Sequence, residues 1–476
     1  MEQIPSPEPQ VLEWIDSHAG EMVAATQSLI RIPSTKGHPA TGAPFGLETR
    51  QALDCVLSIG ESYGLTVKNL DGYAGHIEWR PAGVAAEAPI VGVLAHVDVV
   101  PAGDGWTHPP FDAVVDNGVL YGRGAIDDKG PLMAGLYATL ALAACKVPAK
   151  RRLRVIVGAD EESGFGCVAH YFAHEEMPVT GFSPDADFPL IHAEKGITNI
   201  ELKAAAPAGD AAVTVTSLHG GRRPNMVPDT AEAMLQGDPR IIGETAQRLA
   251  GLPKIETETM ADGARLKVVA RGVSAHGMAP HLGDNAVVTL AAALRDAAPI
   301  GETQAILLGL IATLGSDITG GALGIAGRDD VAGALTSNLG IAVWDGAEVT
   351  LTFNIRYPVT WTIDDVLGGV RRRTAGTPLT VGTVRDQGPL HVPMDDPLVA
   401  TLLDVYRSDT GDMSPPETTG GGTYARAMKK GVAFGAAFPG TPGRPHEVDE
   451  RWDVADQLRA TKIYAKALMR LLNESE

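Results

Sequence analysis

The sequence contains few cysteines and few aromatic residues, and both scarcities narrow the class of protein. Its three cysteines among 476 residues, Cys55, Cys145 and Cys167, are scattered and form no CxxC pair. This usage excludes a disulfide framework and is typical of a reducing compartment. Aromatic residues make up 5% of the chain, against 44% hydrophobic residues overall. A composition based on Ala, Val, Leu and Gly favours a soluble α/β protein.

The chain also lacks an excess of positive charge, a long apolar run and a leader-like amino terminus. A net charge of −19 argues against nucleic-acid binding, because nothing here would neutralise phosphates. No segment approaches the roughly 20 apolar residues of a membrane helix. The first residues, MEQIP, have no basic stretch followed by an apolar run, as a signal peptide would. We therefore expect a cytoplasmic protein with no nucleic-acid or membrane partner.

The length and the arrangement of apolar runs predict two domains, one of them α/β. A chain of 476 residues is too long for one ordinary core. Apolar runs at 88–95 and 152–158, with a helical stretch at 130–144 between them, predict a βαβ unit on a parallel sheet. Such sheets place their active sites in the loops at the carboxyl ends of the strands. Further helices are predicted at 9–33, 47–63, 395–408 and 452–473, and a further strand at 431–438.

The sequence pattern changes after about residue 197. Segments 197–202, 265–270 and 349–355 alternate apolar and polar residues, as half-buried antiparallel strands do. Helices are predicted here at 284–297 and 362–373. We predict an inserted α+β domain over residues 197–381 and a discontinuous first domain of residues 1–196 and 382–476.

Five clusters of histidines and acidic residues follow predicted strands or lie in glycine- and proline-flanked turns. They are His96-Val97-Asp98, Asp127-Asp128, Asp160-Glu161-Glu162, Asp185-Ala186-Asp187 and His446-Glu447. Two histidines and several carboxylates in loops are a typical ligand set for a pair of divalent metals. A spare carboxylate beside the ligands supplies the general base of metal-assisted hydrolysis. Each cluster alone is weak evidence, but together they predict a two-metal site.

The spacing of residues within the clusters suggests a separate role for each side chain. Residues two apart on an extended strand point the same way, so Asp98 is predicted to orient His96 by accepting its second ring proton. For that pair alone, an ordinary hydrogen-bonded histidine is the favoured reading. Asp127 either caps the following helix or bridges two cations roughly 3.5–4 Å apart. Glu161 and Glu162 diverge, so one can bind metal while the other faces a substrate.

Three other patterns have competing interpretations. Gly60 to Gly64 reads GESYG and matches the GxSxG nucleophile elbow, but that motif needs a strand before the serine and a helix after it. Here the predicted order is reversed, which favours a helix end. His170 and His174 have metal-binding spacing without a supporting third ligand, so a surface pair is favoured. Gly420 to Gly422 lacks the lysine of a phosphate loop and favours close approach of backbone to a ligand.

The inserted region contributes three polar candidates, Asn225, His276 and Arg356. From their local sequence alone they are a turn asparagine, a loop histidine and a surface arginine at a strand end. An anionic product or an oxyanion requires donors of this kind.

The motifs HVDVVP at 96, GRGAIDDKG at 122 and DEESG at 160 closely resemble those of the ArgE/DapE/aminoacylase/carboxypeptidase G metallopeptidase family. Within that family the chain looks most like the PepV-type bacterial dipeptidases. That second resemblance rests on SPDADFP at 183, AEKG at 193, NMVP at 225 and SAHGM at 274. The resemblance to the family covers nearly the whole chain. It implies a phosphorylase/hydrolase-like mixed sheet flanked by helices, with an inserted α+β lid.

The resemblance also implies roles at matching positions. Two divalent metals are implied, zinc first, with manganese and cobalt as alternatives. The implied metal ligands are His96 and Asp185 for one ion, Glu162 and His446 for the other, and Asp127 as the bridge, through a cis peptide to Asp128. Asp98 would orient His96, and Glu161 would be the general base. The implied substrate contacts are His276 for the oxyanion, Asn225 and Arg356 for the carboxylate or carbonyl, and Gly421 and Gly422 lining the pocket.

The resulting functional prediction is hydrolysis of the amide bond of dipeptides, small peptides with a free terminal carboxylate. The alternative in the same class is a deacylase or carboxypeptidase acting on N-acetyl or N-succinyl amino acids. A metal-dependent binding protein without turnover is a third reading, which the presence of Glu161 disfavours. The enlarged insert favours a monomer, with a homo-oligomer as the alternative.

Overall fold

The computed structural model describes residues 6–207 and 211–474, and the chain divides into two compact units. Of the described residues, the first unit takes 6–192, 391–418 and 423–474, and the second takes 193–207, 211–390 and 419–422. No helix in the described part of the chain is both long and apolar enough to span a membrane.

The described residues contain eleven α-helices. They are α1 (Glu8–Ser17), α2 (Ala19–Ile30), α3 (Leu47–Ser62), α4 (Lys129–Ala144), α5 (Gly166–His174), α6 (Pro239–Ala250), α7 (Ala286–Ala297), α8 (Glu302–Ser316), α9 (Ile363–Thr374), α10 (Pro397–Thr410) and α11 (Val454–Leu471). Short 3₁₀ turns lie at Pro280–Leu282 and Tyr424–Ala427.

The strands are short and numerous. They are β1 (Thr66–Leu70), β2 (Ala74–Trp79), β3 (Ile90–His96), β4 (Val114–Asp116), β5 (Val119–Tyr121), β6 (Arg152–Gly158), β7 (Thr180–Ser183), β8 (Ala186–Asp187), β9 (Ile191–Glu194), β10 (Gly196–Ala205), β11 (Val213–Gly220), β12 (Thr230–Gly237), β13 (Ile255–Thr259), β14 (Arg265–Arg271), β15 (Arg328–Asp329), β16 (Gly333–Ala334), β17 (Thr336–Trp344), β18 (Glu348–Tyr357), β19 (Thr380–Gln387), β20 (Leu390–His391), β21 (Glu417–Thr419), β22 (Gly431–Ala433), β23 (Ala436–Ala437) and β24 (Arg451–Asp453).

A parallel core dominates the sheet of the first unit. Strands β6, β3, β7 and β22 run parallel in that order, and β2 and β1 extend the sheet antiparallel beyond β6. Every residue of β3 and β6 is buried, as continuous apolar runs predict for strands covered on both faces. Because the strands are parallel, the loops that follow β3, β6 and β7 leave the same edge of the sheet.

Helix α4 is the central helix of the first unit. It consists largely of alanine and leucine and is buried from Lys129 to Leu142, as expected of a helix that is apolar on all sides. Helices α1, α2 and α11 pack against it. Its amino terminus directly follows Asp127 and Asp128, so this packing fixes where that acidic pair lies.

An antiparallel sheet forms the second unit, in the order β13-β14-β12-β11-β17-β18-β10-β19. Buried and partly exposed residues alternate along β10, because one face of the sheet is covered and the other is not. The covered face packs on helices α6, α7, α8 and α9 through an apolar core that includes Leu290, Leu308 and Phe353.

The sequence-derived boundaries need correction at several points. The inserted unit extends from 193 to 390 rather than from 197 to 381, because β19 pairs with β10. The predicted strand at 431–438 is broken into β22 and β23, and the predicted helix at 9–33 is two helices. Helices α6 and α8 and strands β11, β12, β13 and β17 were not predicted.

Candidate active site

Three parallel strands deliver most of the predicted metal ligands to one edge of the first sheet. His96 is the last residue of β3 and lies in register with Gly158, the last residue of β6. Glu161 and Glu162 follow β6, and Asp185 follows β7. The parallel register therefore explains how residues far apart in sequence meet.

Two loops bring Asp127 and His446 to the same place. Asp127 lies between β5 and α4, and His446 lies between β23 and β24. Strand β24 pairs antiparallel with β5, with Trp452 opposite Leu120. The loop after β5 and the loop before β24 therefore lie at the same end of this strand pair.

In the described ranges, 6–207 and 211–474, potential ligand atoms form two groups, and within each group they lie within 4.8 Å of one another. The first group is His96, Glu161 and Asp185, and the second is Asp127, Glu162 and His446. All five residues predicted to bind metal, together with the predicted base Glu161, are therefore found in these two groups.

Asp127 faces both histidines. Its Oδ1 lies 3.2 Å from Nε2 of His96, and its Oδ2 lies 2.9 Å from Nε2 of His446. His446 is also 3.0 Å from Oε1 of Glu162, and His96 is 3.8 Å from Oδ2 of Asp185. One carboxylate thus spans the two groups, as a bridging ligand would. The peptide bond from Asp127 to Asp128 is cis.

Interactions with the histidines set the charge on Asp127. Although burial disfavours its charged form, the neighbouring rings of His446 and His96 lower the pKa of Asp127. Hydrogen bonds to Asp127 and then to Glu162 raise the pKa of His446 to about 10. Metal binding would replace these protons, because histidine binds metal in its neutral form.

The remaining carboxylates are crowded. Burial raises the pKa of Glu161 and of Asp185 well above the usual range, and neighbouring acids add to the effect. Two histidines cannot neutralise four carboxylates this close together, whereas two divalent cations would. Within the described residues, the buried Nε2 of His96 has no hydrogen-bond partner. The side chains present therefore fit a pair of divalent metals.

Asp98 acts differently from the prediction. Nδ1 of His96 lies 2.9 Å from the backbone carbonyl of Asp98, not within hydrogen-bond range of its carboxylate, whose Oδ1 is 3.6 Å away. The carboxylate instead accepts the backbone N–H groups of Glu161 at 3.0 Å and Glu162 at 3.1 Å. Spacing placed Asp98 beside His96 but could not reveal the turn after β6 that reaches its oxygens.

The predicted substrate residues Asn225, His276 and Arg356 all lie in the second unit. The carbonyl of Asn225 accepts the N–H of Gly277 at 2.7 Å, which pairs the two loops. Arg356 is 4% exposed, so it is not the surface arginine that its local sequence indicated. Its Nε donates to Oδ1 of Asn354 at 2.9 Å, and that oxygen lies 3.0 Å from where a Cβ on Gly277 would be.

The glycine segment also belongs to the second unit, although residues 382–476 were assigned to the first domain. Nη1 of Arg356 donates to the carbonyl of Gly420 at 3.1 Å. The N–H of Gly421 donates to the Thr419 hydroxyl at 2.9 Å, and Gly422 follows. The structure thus groups all five predicted substrate residues within one unit.

The chain matches a protein-family model over most of its length. Residues 92–470 match the family described as "Peptidase family M20/M25/M40". The chain belongs to this family. The matched segment contains every candidate metal ligand from His96 to His446, so the family resemblance seen in the sequence is confirmed. This M20 chain is a peptidase of a metal-dependent family.

The M20 chain is similar to proteins named as dipeptidases. "Putative dipeptidase YtjP" of Bacillus subtilis (strain 168) is 40% identical over 460 residues, covering 95% of this chain and 97% of that protein. A "Putative dipeptidase" of Staphylococcus epidermidis is 34% identical over 472 residues, covering 97% of this chain and 99% of that one. Similarity therefore extends over almost the whole length of each relative.

Solved structures confirm the α/β fold class. Human carnosine dipeptidase 1 superposes with a TM-score of 0.56 at 14% identity, covering 98% of each chain. Aminoacylhistidine dipeptidase from Vibrio alginolyticus gives a TM-score of 0.57 at 13% identity, covering 95% of this chain and 96% of that one. At these identities the likeness shows the fold alone.

The M20 site contains two residues that the sequence did not single out. Glu450 is completely buried beside the Asp127 loop. Tyr424 is also completely buried, and its ring meets that of His96 edge-on at 6.0 Å between centroids. Glu450 ends the acidic run that follows His446, and such runs are usually exposed. Its position four residues after that histidine is the one signal of its role in the sequence.

The competing motifs have structural explanations. Gly60 lies inside α3, and the hydroxyl of Ser62 donates to the carbonyl of Ile59 at 2.7 Å, with strand β1 following. The elbow order is therefore reversed, as predicted. His170 lies 3.1 Å from Asp71 and its ring neighbours that of His174, but these residues form no metal-ligand group within the described chain.

Proposed function

We propose that this M20 peptidase hydrolyses the amide bond of dipeptides that carry a free terminal carboxylate, using two divalent metal ions. The observation that carries the proposal is the position of Asp127, whose two oxygens face His96 and His446 at 3.2 and 2.9 Å. A shared carboxylate between two histidines is the arrangement that holds a metal pair. Zinc is the proposed metal, with manganese and cobalt as alternatives.

The proposed ligands follow the two groups. His96 and Asp185 hold one ion, Glu162 and His446 hold the other, and Asp127 is shared. When bound, such ions lower the pKa of water and polarise the amide carbonyl.

Glu161 is the proposed general base. Its carboxylate lies beside the proposed ligands, so it can accept a proton from the attacking water. It then returns that proton to the leaving amine. Glu161 also lies within ligand distance of His96 and Asp185, and the variant Glu161→Gln distinguishes a base from a ligand.

Substrate recognition is assigned to the second unit. His276 donates to the oxyanion that develops on the carbonyl. Asn225 and Arg356 hold the substrate carboxylate or carbonyl, and the backbone of Gly421 and Gly422 lines the pocket. Arg356 suits this role because its guanidinium is buried and already oriented by Asn354 and Gly420.

The test begins with removal of metals by a chelator and confirmation by elemental analysis. Zinc, manganese and cobalt are then restored one at a time. The restored protein is assayed on dipeptides with free or amidated carboxyl termini, and on N-acetyl and N-succinyl amino acids. We expect activity to depend on metal and to favour free-carboxylate dipeptides in kcat/KM. Full activity without metal, or preference for N-acyl amino acids, would overturn the proposal.

Glu161→Gln tests the proposed base. We expect the variant to retain both metals and to lose at least about 100-fold in kcat. Glu61→Gln, which changes an exposed glutamate on α3, serves as the matched control. Loss of one metal equivalent from Glu161→Gln would instead make Glu161 a ligand.

The remaining assignments concern location and assembly. We propose a monomer acting in the cytoplasm, on the basis of the enlarged inserted unit and the cysteine usage. Sedimentation of the metal-loaded protein at several concentrations tests the monomer, and a concentration-dependent dimer would contradict it.

A further inference from the structure

Glu450 is a buried carboxylate that collects donors from one loop. Its side chain is 0% exposed. Its Oε1 accepts three backbone N–H groups, from Gly124 at 2.9 Å, Ile126 at 3.1 Å and Asp127 at 3.2 Å. Its Oε2 accepts Nη1 of Arg123 at 2.6 Å. Every partner of this carboxylate therefore lies in the segment that ends at Asp127.

Glu450 belongs to the loop that carries His446. It lies four residues after His446 and directly before β24. Its own backbone carbonyl accepts the N–H of Gly122 at 3.0 Å. Glu450 thus links the loop that carries His446 to the loop that carries Asp127, through hydrogen bonds to its carboxylate and to its backbone carbonyl.

Arg123 completes the arrangement. Its side chain is 1% exposed, and its guanidinium lies 5.2 Å from the ring centre of Trp106. A buried ion pair is seldom more stabilising than apolar residues of the same volume. Simple stability therefore does not explain a charged pair at this point. Charge-assisted hydrogen bonds are short and directional, which suits a role in fixing a loop.

We propose that Glu450, oriented by Arg123, is a positioning residue that holds Asp127 against His446 and so sets the affinity of the site for divalent metal. The inference rests on the proposed two-metal site. A residue that merely satisfied the buried N–H groups of the loop would affect stability alone. A positioning residue also changes how tightly the folded protein binds metal.

The experiment compares Glu450→Gln with Glu78→Gln. Glu78 forms a partly buried ion pair with Arg154 at 2.6 Å on the opposite side of β6 from β3, and it lies outside the proposed site. Both variants exchange an ion-paired carboxylate for an amide of the same shape. Metal affinity of the chelator-treated proteins is measured by competition with a chromophoric chelator. Visible spectra of the cobalt-loaded proteins report the ligand geometry, and circular dichroism reports the fold.

We expect Glu450→Gln to weaken metal binding about 10–100-fold and to alter the cobalt spectrum. Glu78→Gln should leave the metal affinity and the cobalt spectrum at wild-type values. This should hold even if its thermal midpoint falls as much as that of Glu450→Gln. Wild-type affinity and spectrum in a folded Glu450→Gln protein would overturn the inference.

Arg123→Lys provides a second variant if Glu450→Gln does not fold. It keeps the positive charge but loses the guanidinium fork, so we expect a smaller loss of metal affinity with a shifted cobalt spectrum. An unchanged affinity and spectrum would again overturn the inference. A wild-type protein that binds no metal would instead overturn the proposed function, so the two failures are distinguishable.

Discussion

The carboxylate of Asp98 accepts the backbone N–H of Glu161 at 3.0 Å. Its other oxygen accepts the N–H of Glu162 at 3.1 Å, so one side chain holds two successive peptide units. These two glutamates are the proposed base and a proposed metal ligand. The loop after β3 thus fixes the turn after β6, and the geometry of the site depends on a residue that belongs to neither ligand group.

Replacement of Asp98 by asparagine should therefore lower turnover. The amide keeps one acceptor oxygen but places an NH₂ group against the second backbone N–H, which shifts the turn. We expect kcat to fall about 10–100-fold with a smaller change in KM. Steady-state kinetics on a cleaved dipeptide measure this, with Asp116→Asn, at an exposed aspartate on β4, as the control. A wild-type kcat in Asp98→Asn would contradict the role.

The two histidines should respond differently to truncation. The side chain of His96 is 1% exposed and that of His446 is 56% exposed. Both alanine variants should lose metal, because each removes a proposed ligand. Without metal, His96→Ala should lose about 2–3 kcal/mol of unfolding free energy, because it leaves a buried cavity. His446→Ala should lose under about 1 kcal/mol.

Denaturant unfolding of the chelator-treated proteins checks this difference. Equal losses of unfolding free energy in His96→Ala and His446→Ala would show that burial does not separate their roles. Full metal retention in either variant would remove that residue from the ligand set.

The loss of stability in acid should depend in part on His76, which belongs to neither ligand group. Its Nδ1 is 2.8 Å from the hydroxyl of Tyr171. Burial, and then the charge of Arg154, lower its pKa to about 3, although Glu175 opposes the shift. The unfolded chain takes up a proton at this histidine below about pH 6.5, and the folded chain does so only near pH 3. The free energy of unfolding therefore falls as the pH falls between these values.

Comparison with His76→Gln isolates this contribution, because glutamine cannot take up the proton. Going from pH 7 to pH 5, we expect the wild type to lose about 1–2 kcal/mol more than the variant. Carboxylates that titrate in the same range affect both proteins and cancel in the difference. Parallel pH dependences for the two proteins would contradict the prediction.

Gly158 should not tolerate a side chain. A Cβ at this position would lie 1.7 Å from the hydroxyl oxygen of Tyr424, which is itself 2.6 Å from the sulfur of Cys167. Gly158→Ala must displace a buried tyrosine, and overpacking of this kind destabilises by about 1–3 kcal/mol. Gly243→Ala is the matched control, because nothing lies within 4 Å of its Cβ position on helix α6. That control should gain about 0.5–1 kcal/mol. Thermal unfolding of both variants measures the contrast.

Local sequence was sufficient to predict the parallel sheet, most of the candidate site and the family. The continuous apolar runs of β3 and β6 and the helix between them predicted a parallel sheet, because strands covered on both faces cannot alternate. The position of His96, Glu161 and Asp185 after such strands predicted that they meet. The short motifs HVDVVP, GRGAIDDKG and DEESG predicted the family.

The tertiary structure alone decided which groups those side chains contact. Because residues two apart on a strand point the same way, the sequence placed Asp98 beside His96. The N–H groups that its carboxylate accepts belong to Glu161 and Glu162, in a turn more than 60 residues away. Glu450 reaches Asp127 across 323 residues, and its local sequence is that of a solvated acidic run. Secondary structure follows from the order of neighbouring residues along the chain. Hydrogen bonds between distant loops depend on how the strands that carry those loops are ordered in the folded sheet.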